Sequence, residues 1–240
     1  MEVNTFQTAT GTPLTAVTPS EMAAVDRVAV DEFGIALLQM MENAGRNLAW
    51  HIREMHTGSV VVLAGNGGNG GGGLCAARHL TNRAIPVSII LDRHPDELDG
   101  AARTQYETLA SMGVPVDHGV DALSNQDVGT AVDALVGYGL DGPVRGTAAD
   151  LVEQVNERDT TVVSLDVPSG LDSTSGKRTG RSIEPTRVVT LALPKTVLSE
   201  VKTDLYLADI GIPAGVYESL DIPYSNPFER RYWARVVLKT

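Results

Sequence analysis

The chain has 240 residues, 42% of them apolar, with a formal net charge of −11 and a single cysteine. That length suits one large α/β domain or two small ones. The acidic balance argues against nonspecific nucleic-acid binding, and no stretch approaches the ~18–20 apolar residues that span a bilayer.

Lone Cys75 excludes an intramolecular disulfide, and the polar segment 1–12 lacks a charged-then-apolar leader pattern, so a cytoplasmic location is expected. Four lysines stand against fifteen arginines and seventeen aspartates. A surface of this kind stays solvated when salt screens charge, which fits a halophilic source.

In chain order, residues 1–17 read as a flexible N-terminus and residues 18–240 as a single domain. Thr18-Pro19-Ser20-Glu21 has the form of a capping box, predicting a helix to about Asp31. A second helix, from Ile35 to about Met55, puts Leu38, Met41, Ala44, Leu48 and Ile52 on one face. Met40 and Met41 point to packing or to a homodimer surface. An apolar strand over 59–64 then meets Gly65-Asn66-Gly67-Gly68-Asn69-Gly70-Gly71-Gly72-Gly73, seven glycines in nine positions, and a helix over 73–82. Strand, glycine turn and helix together aim backbone N–H groups at a phosphate. Further strands are predicted over 85–91, 114–116, 130–135, 161–166, 187–192 and 204–208, with helices over 97–112 and 147–157. Apolar strands alternating with helices imply an α/β fold with a doubly wound, mostly parallel sheet. The expected architecture is a Rossmann-like three-layer sandwich with two leading helices.

Ligands of such sheets bind at the carboxyl ends of the strands, where the loops 65–73, 137–146 and 167–172 gather. Gly65, Gly67 and Gly70 satisfy Gly-x-Gly-x-x-Gly, and Asp92 follows the next strand where a ribose-binding acid falls, which by itself supports a nicotinamide-dependent dehydrogenase. A P-loop is excluded, because no Gly-Lys-Ser/Thr follows. Asp133, within a predicted buried strand, needs a hydrogen-bonding or charged partner, a cation among the choices; a loop-capping aspartate is the plainer reading. Asp166 closes a strand at the ligand face and suits general acid–base work, and Ser169 could offer its hydroxyl or carbonyl to a ligand or ion. The alternative for both is an ordinary Asp/Ser turn. Lys195 is placed either to approach a phosphate or as a solvated loop lysine. Cys75 reads as a packed residue, and the five histidines lack ligand spacing for zinc.

Five ordered segments together resemble one family, the NAD(P)H-hydrate epimerases, or YjeF amino-terminal domains. They are Gly65 to Leu80, Asp133 to Leu140, Asp166 to Asp172, Leu191 to Lys195 and Asp209 to Pro213. Met22 to Asp26 and Met41 to Gly45 also fit the family's leading helices, so the resemblance covers about residues 18–215.

The resemblance implies repair of hydrated NADH and NADPH by interconversion of their R and S forms, with an S-specific dehydratase as pathway partner. It implies a potassium ion held by Asn69, Asp133 and Ser169. It implies substrate contacts from Gly68, Asn69, Gly70, Gly71, Gly72, Gly137, Tyr138, Gly139, Leu140, Asp141, Gly142, Pro143 and Asp166, with Asp166 as the proton-transfer group. A stand-alone epimerase without the dehydratase domain, forming a homodimer, is expected. Gly68 stands where the family has Asn, Gly72 where it has Asp, and Tyr138 where it has Thr. Losing the carboxylate at 72 leaves a second reading open, a nucleotide-binding sensor or scaffold of the same fold without catalysis.

Overall fold

The computed structural model describes residues 5–139, 142–172 and 180–239. The capping box forms as its sequence dictates: the Thr18 N–H donates to Glu21 Oε2 at 2.7 Å, and the Glu21 N–H donates to Thr18 Oγ1 at 3.3 Å. This starts helix α1 (Pro19–Asp31), and the amphipathic pattern that follows forms α2 (Leu37–Met55).

The chain then alternates: β3 (Val60–Ala64), α3 (Gly68–Thr81), β4 (Val87–Leu91), α4 (Gly100–Ser111), β5 (Val116–His118), α5 (Val120–Ser124), β6 (Thr130–Ala134), α6 (Gly146–Asn156) and β7 (Thr161–Leu165). Strands β8 (Arg187–Leu191) and β9 (Asp204–Ala208) extend the parallel sheet, and α7 (Ala214–Glu218) follows. The parallel strands lie in the order β9-β8-β7-β6-β3-β4-β5. Helices cover both faces, so every residue of β3 and β6 is buried. One core layer packs Leu48, Ile52, Leu74 and Leu109 against the sheet, and the other packs Leu123, Leu151 and Val152.

Residues 6–14 differ from the loose segment expected. Strands β1 (Phe6–Thr8) and β2 (Pro13–Leu14) pair antiparallel, and β1 pairs with β10 (Trp233–Leu238), which lies against β9. Phe6 and Leu14 are buried. Strands of two or three residues carry no readable period, and these form only because the far end of the chain supplies their partner. The short helices α5 and α7 escape sequence reading for the same lack of period. The strand expected at 114–116 sits two residues later.

The glycine stretch is also different. Only Gly65 to Gly67 form a turn, and α3 begins at Gly68 rather than at Gly73. Glycine is a poor helix former, but here the helix lies too close to its neighbours for side chains. An added Cβ would come within 1.7 Å of Gly65 O at Gly70, 2.6 Å of Met41 Cε at Gly71 and 2.4 Å of Ala134 Cβ at Gly73. Met40 and Met41 are both buried within the chain, Met40 against α1 and Met41 against Gly71. They therefore supply no dimer surface.

Buried His51 touches the rings of Trp50, Tyr206 and Trp233, and among the described residues its Nε2 has no partner. Burial, and then the nearby Arg187, push its pKa from 6.5 down to about 3. Below pH 6.5 the unfolded chain protonates this group while the fold does not, so stability falls as pH drops from 6.5 towards 3. His51→Phe is expected to flatten the slope of urea-unfolding free energy over that window; an unchanged slope would assign the acid sensitivity elsewhere.

Candidate active site

Strand order reverses between β3 and β6: from β3 the chain runs outward to β4 and β5, then returns to add β6 on the other side. The carboxyl ends of these two strands leave a crevice, the usual ligand position in open α/β sheets. A cavity of about 430 Å³ opens there. Gly67, Gly68 and Asn69 line it from the start of α3, and Leu135 to Gly139 from the turn after β6. No side chain caps α3 at Gly67, so its first turn can receive an anion.

Asp166 follows β7 with φ +66, a left-handed conformation that Asp and Asn adopt more readily than most residues. That turn directs the buried side chain to the cavity. Its Oδ1 accepts hydrogen bonds from Lys195 Nζ (2.5 Å), the Leu191 N–H (3.1 Å) and Thr190 Oγ1 (3.2 Å). Lys195 is also buried, donates to Leu191 O at 2.8 Å, and lies 5.5 Å from the centre of the Tyr138 ring. Tyr138 donates its hydroxyl proton to Asp26 Oδ2. Burial raises the Asp26 carboxyl above its ordinary value despite that hydrogen bond. Burial and Asp26 together push the Tyr138 phenol upward. The cavity wall is thus an alternating row of acid, phenol, ammonium and acid.

Beneath this wall lies Asp133, fully buried in β6. It accepts from Ser169 Oγ (2.5 Å), Ser164 Oγ (2.8 Å) and the Ser169 N–H (2.9 Å). Burial raises its carboxyl, and these hydrogen bonds act in the opposite direction. Among the described residues no cationic side chain contacts it. Ser169 Oγ, its one proton given to Asp133, accepts from the Val136 N–H at 2.9 Å and lies 3.1 Å from Val136 O. Asn69 Nδ2 donates to Leu165 O at 2.9 Å, leaving Oδ1 against Gly137, where a Cβ would come within 2.9 Å of it. A carboxylate, a hydroxyl, an amide oxygen and a backbone carbonyl form an all-oxygen donor set, suited to a hard cation.

Gly68, Asn69, Gly137, Tyr138, Gly139 and Asp166 therefore meet around one cavity, and Asp133 and Ser169 sit under it. Gly70, Gly71 and Gly72 do not line it. An added Cβ at these positions would meet Gly65, Met41 and Leu165 respectively, so what they require is close packing of the helix. Gly142 and Pro143 also lie off the cavity lining, and Leu140 and Asp141 fall outside the described residues.

Sequence reasoning missed Asp26. Its signal was available, an acid within one turn of buried Met22 and Val25. Of the two readings of Lys195, neither anticipates the pair with Asp166. Asp92 reaches the cavity, but the Arg93 guanidinium holds both of its oxygens, at 2.8 and 3.0 Å. A ribose hydroxyl would have to compete with that pair.

A family model described as YjeF-related protein N-terminus matches residues 37–197. The NAD(P)H-hydrate epimerase of Dehalogenimonas lykanthroporepellens is 40% identical over 96% of this chain and 96% of its own length. That of Truepera radiovictrix is 34% identical over 88% of this chain and 95% of its own. The bifunctional NAD(P)H-hydrate repair enzyme Nnr of Moorella thermoacetica is 36% identical over 82% of this chain, which spans 40% of that longer protein. The crystal structure of yeast ynu0, YNL200c, superposes with a TM-score of 0.81 at 25% identity, covering 92% of this chain and 100% of that one.

Proposed function

Because this chain belongs to the family of YjeF-related protein N-termini, we infer that it is an NAD(P)H-hydrate epimerase, an isomerase acting on the R and S forms of hydrated NADH and NADPH. The observation that carries the chemistry is the Asp166 carboxyl, held by Lys195 in a cavity at the sheet's switch point.

The hydrated nicotinamide ring is electron-rich and can expel its hydroxyl, leaving an iminium-like cation. The Lys195–Asp166 pair gives the proton it shares to the departing hydroxyl, so that water leaves. The Asp166 carboxylate faces and stabilises the cationic ring. Water added to the other face of the ring returns its proton to the pair. Lys195, Thr190 and the Leu191 N–H fix the direction of that carboxyl. The first turn of α3 receives a phosphate, and Gly68 leaves room for it, with no atom within 4 Å of an added Cβ.

Asn69, Asp133 and Ser169, with the Val136 carbonyl, fit a potassium ion. When bound, it would offset the buried Asp133 charge and tie the turn after β6 to the turn after β7.

The domain expected over 18–240 also takes in residues 6–14, whose strands β1 and β2 complete its sheet. The bifunctional relatives support an S-specific NAD(P)H-hydrate dehydratase as pathway partner. Exposed Val30, Phe33, Leu37 and Leu38 supply an apolar surface for a homodimer. Among the described residues no helix is long and apolar enough to cross a membrane. Together with the buried free thiol of Cys75 this fits work in the cytoplasm, and the net charge of −11 fits a halophilic setting.

The test mixes the protein with one pure epimer of hydrated NADPH in potassium buffer and follows the other by chromatography. Appearance well above the uncatalysed rate is expected, and replacing potassium with choline should slow it several-fold. No acceleration with binding retained would favour a nucleotide-binding sensor. Equal rates in choline would dismiss the potassium site.

A further inference from the structure

A second, larger cavity of about 670 Å³ lies on the far side of α2 from the active site, bounded by the end of α3 and the start of β10. Four arginines reach it: Arg46, Arg53, Arg83 and Arg231. In a chain of net charge −11 this is an unusual concentration of cations. Six described arginines elsewhere pair with acids, among them Arg78–Glu42, Arg93–Asp92, Arg181–Asp150 and Arg235–Asp204. Among the described residues none of these four does. Arg46 reaches Asn43 Oδ1 and lies over the Tyr232 ring, Arg83 donates to His79 O, and Arg231 lies over the Trp233 ring. These partners hold the guanidinium groups of Arg46, Arg83 and Arg231 in place without neutralising them.

Most of the remaining lining is aromatic, from Trp50, His79, Tyr232 and Trp233, with Asn47 and Ala49 completing it. Trp50 and Trp233 have centroids 4.7 Å apart, and buried His51 and Tyr206 back them. A rigid aromatic wall beside unneutralised guanidinium forks matches a planar base carrying phosphates. The volume lies within the range of small-molecule sites.

We propose that this cavity binds a nucleoside diphosphate or a larger nucleotide of the same chemistry, independently of the active site. An acidic peptide would need an extended groove, whereas these groups converge on a compact cavity.

Trp50 and Trp233 are the chain's two tryptophans, so intrinsic fluorescence reports on this cavity. ADP is expected to change that fluorescence saturably at sub-millimolar concentration. Pyrophosphate and adenosine should each bind more weakly, and added salt should weaken ADP. Arg53→Ser with Arg83→Ser should weaken ADP about tenfold and leave epimerase turnover unchanged. Gly68→Glu puts a carboxylate at the α3 phosphate position. It should abolish turnover and spare the ADP signal. Four results would overturn the proposal: no saturable change up to millimolar ADP, loss of the signal in Gly68→Glu but not in the arginine variant, pyrophosphate binding as tightly as ADP, or a fluorescence change that follows protein concentration alone. The last would mean that a second copy covers the cavity.

Discussion

Asp166→Asn is expected to lower epimerase turnover by roughly 10²–10⁴-fold while leaving the circular dichroism spectrum unchanged. Asparagine keeps the left-handed φ of +66 accessible, and its amide oxygen can still accept from Thr190 Oγ1 and the Leu191 N–H. It loses the shared proton that leaves with the hydroxyl and the negative charge that faces the cationic ring. A second consequence follows from burial. Lys195 and Asp166 are both almost fully enclosed, and removing one partner of such a pair costs about 3–5 kcal/mol unless the other gives up its charge. Thermal stability should therefore fall together with turnover. Adding Lys195→Met removes the stranded ammonium and should recover much of the melting temperature without recovering turnover. That pairing separates a chemical role from a structural one. Turnover at the wild-type level in Asp166→Asn would end the assignment, and turnover that returns with stability in the double variant would make Asp166 a structural residue.

How far the sequence discloses this molecule depends on the range of the forces involved. The parallel strands β3, β4, β6, β7, β8 and β9 are short, mostly apolar and largely buried runs, so each announces itself locally. The capping box at Thr18 is a four-residue interaction and is equally plain. By contrast, β1 and β10 meet across the whole length of the chain, and nothing in Phe6-Gln7-Thr8 names Val236 to Leu238 as its partner. The site divides in the same way. Asp133, Asp166 and Ser169 fall at strand ends, where fold logic places ligands. Asp26 arrives from α1 and Lys195 from beyond β8, and only the tertiary structure shows that both face Tyr138 or Asp166. The glycine stretch gives the sharpest contrast, because its composition is obvious and its purpose is not. Composition reads as a phosphate loop, whereas most of it is helix pressed against neighbouring atoms.

That purpose sets an order of damage within one run of glycines. Gly70→Ala should be the most disruptive of the series, because the new methyl group would sit 1.7 Å from Gly65 O and 2.5 Å from Gly65 C, both backbone atoms that cannot step aside. The helix or the turn must move, and a loss above ~4 kcal/mol, enough to unfold many domains, is expected. Gly73→Ala meets Ala134 Cβ at 2.4 Å and should come next, since a methyl on a central strand yields only if the strand does. Gly71→Ala and Gly72→Ala meet the ends of flexible side chains, Met41 Cε at 2.6 Å and Leu165 Cδ2 at 2.7 Å, so their cost should be smaller. At Gly68 nothing lies within 4 Å, and alanine should be neutral or should stabilise by up to ~1 kcal/mol, because glycine loses more freedom on entering a helix. Urea-unfolding midpoints of the five alanine variants measure this order directly. If glycine were present for loop flexibility, all five would shift stability alike and Gly70→Ala would fold normally. If it is present for close approach, the midpoints should follow the distances, with Gly70 and Gly68 at opposite ends of the series only two residues apart.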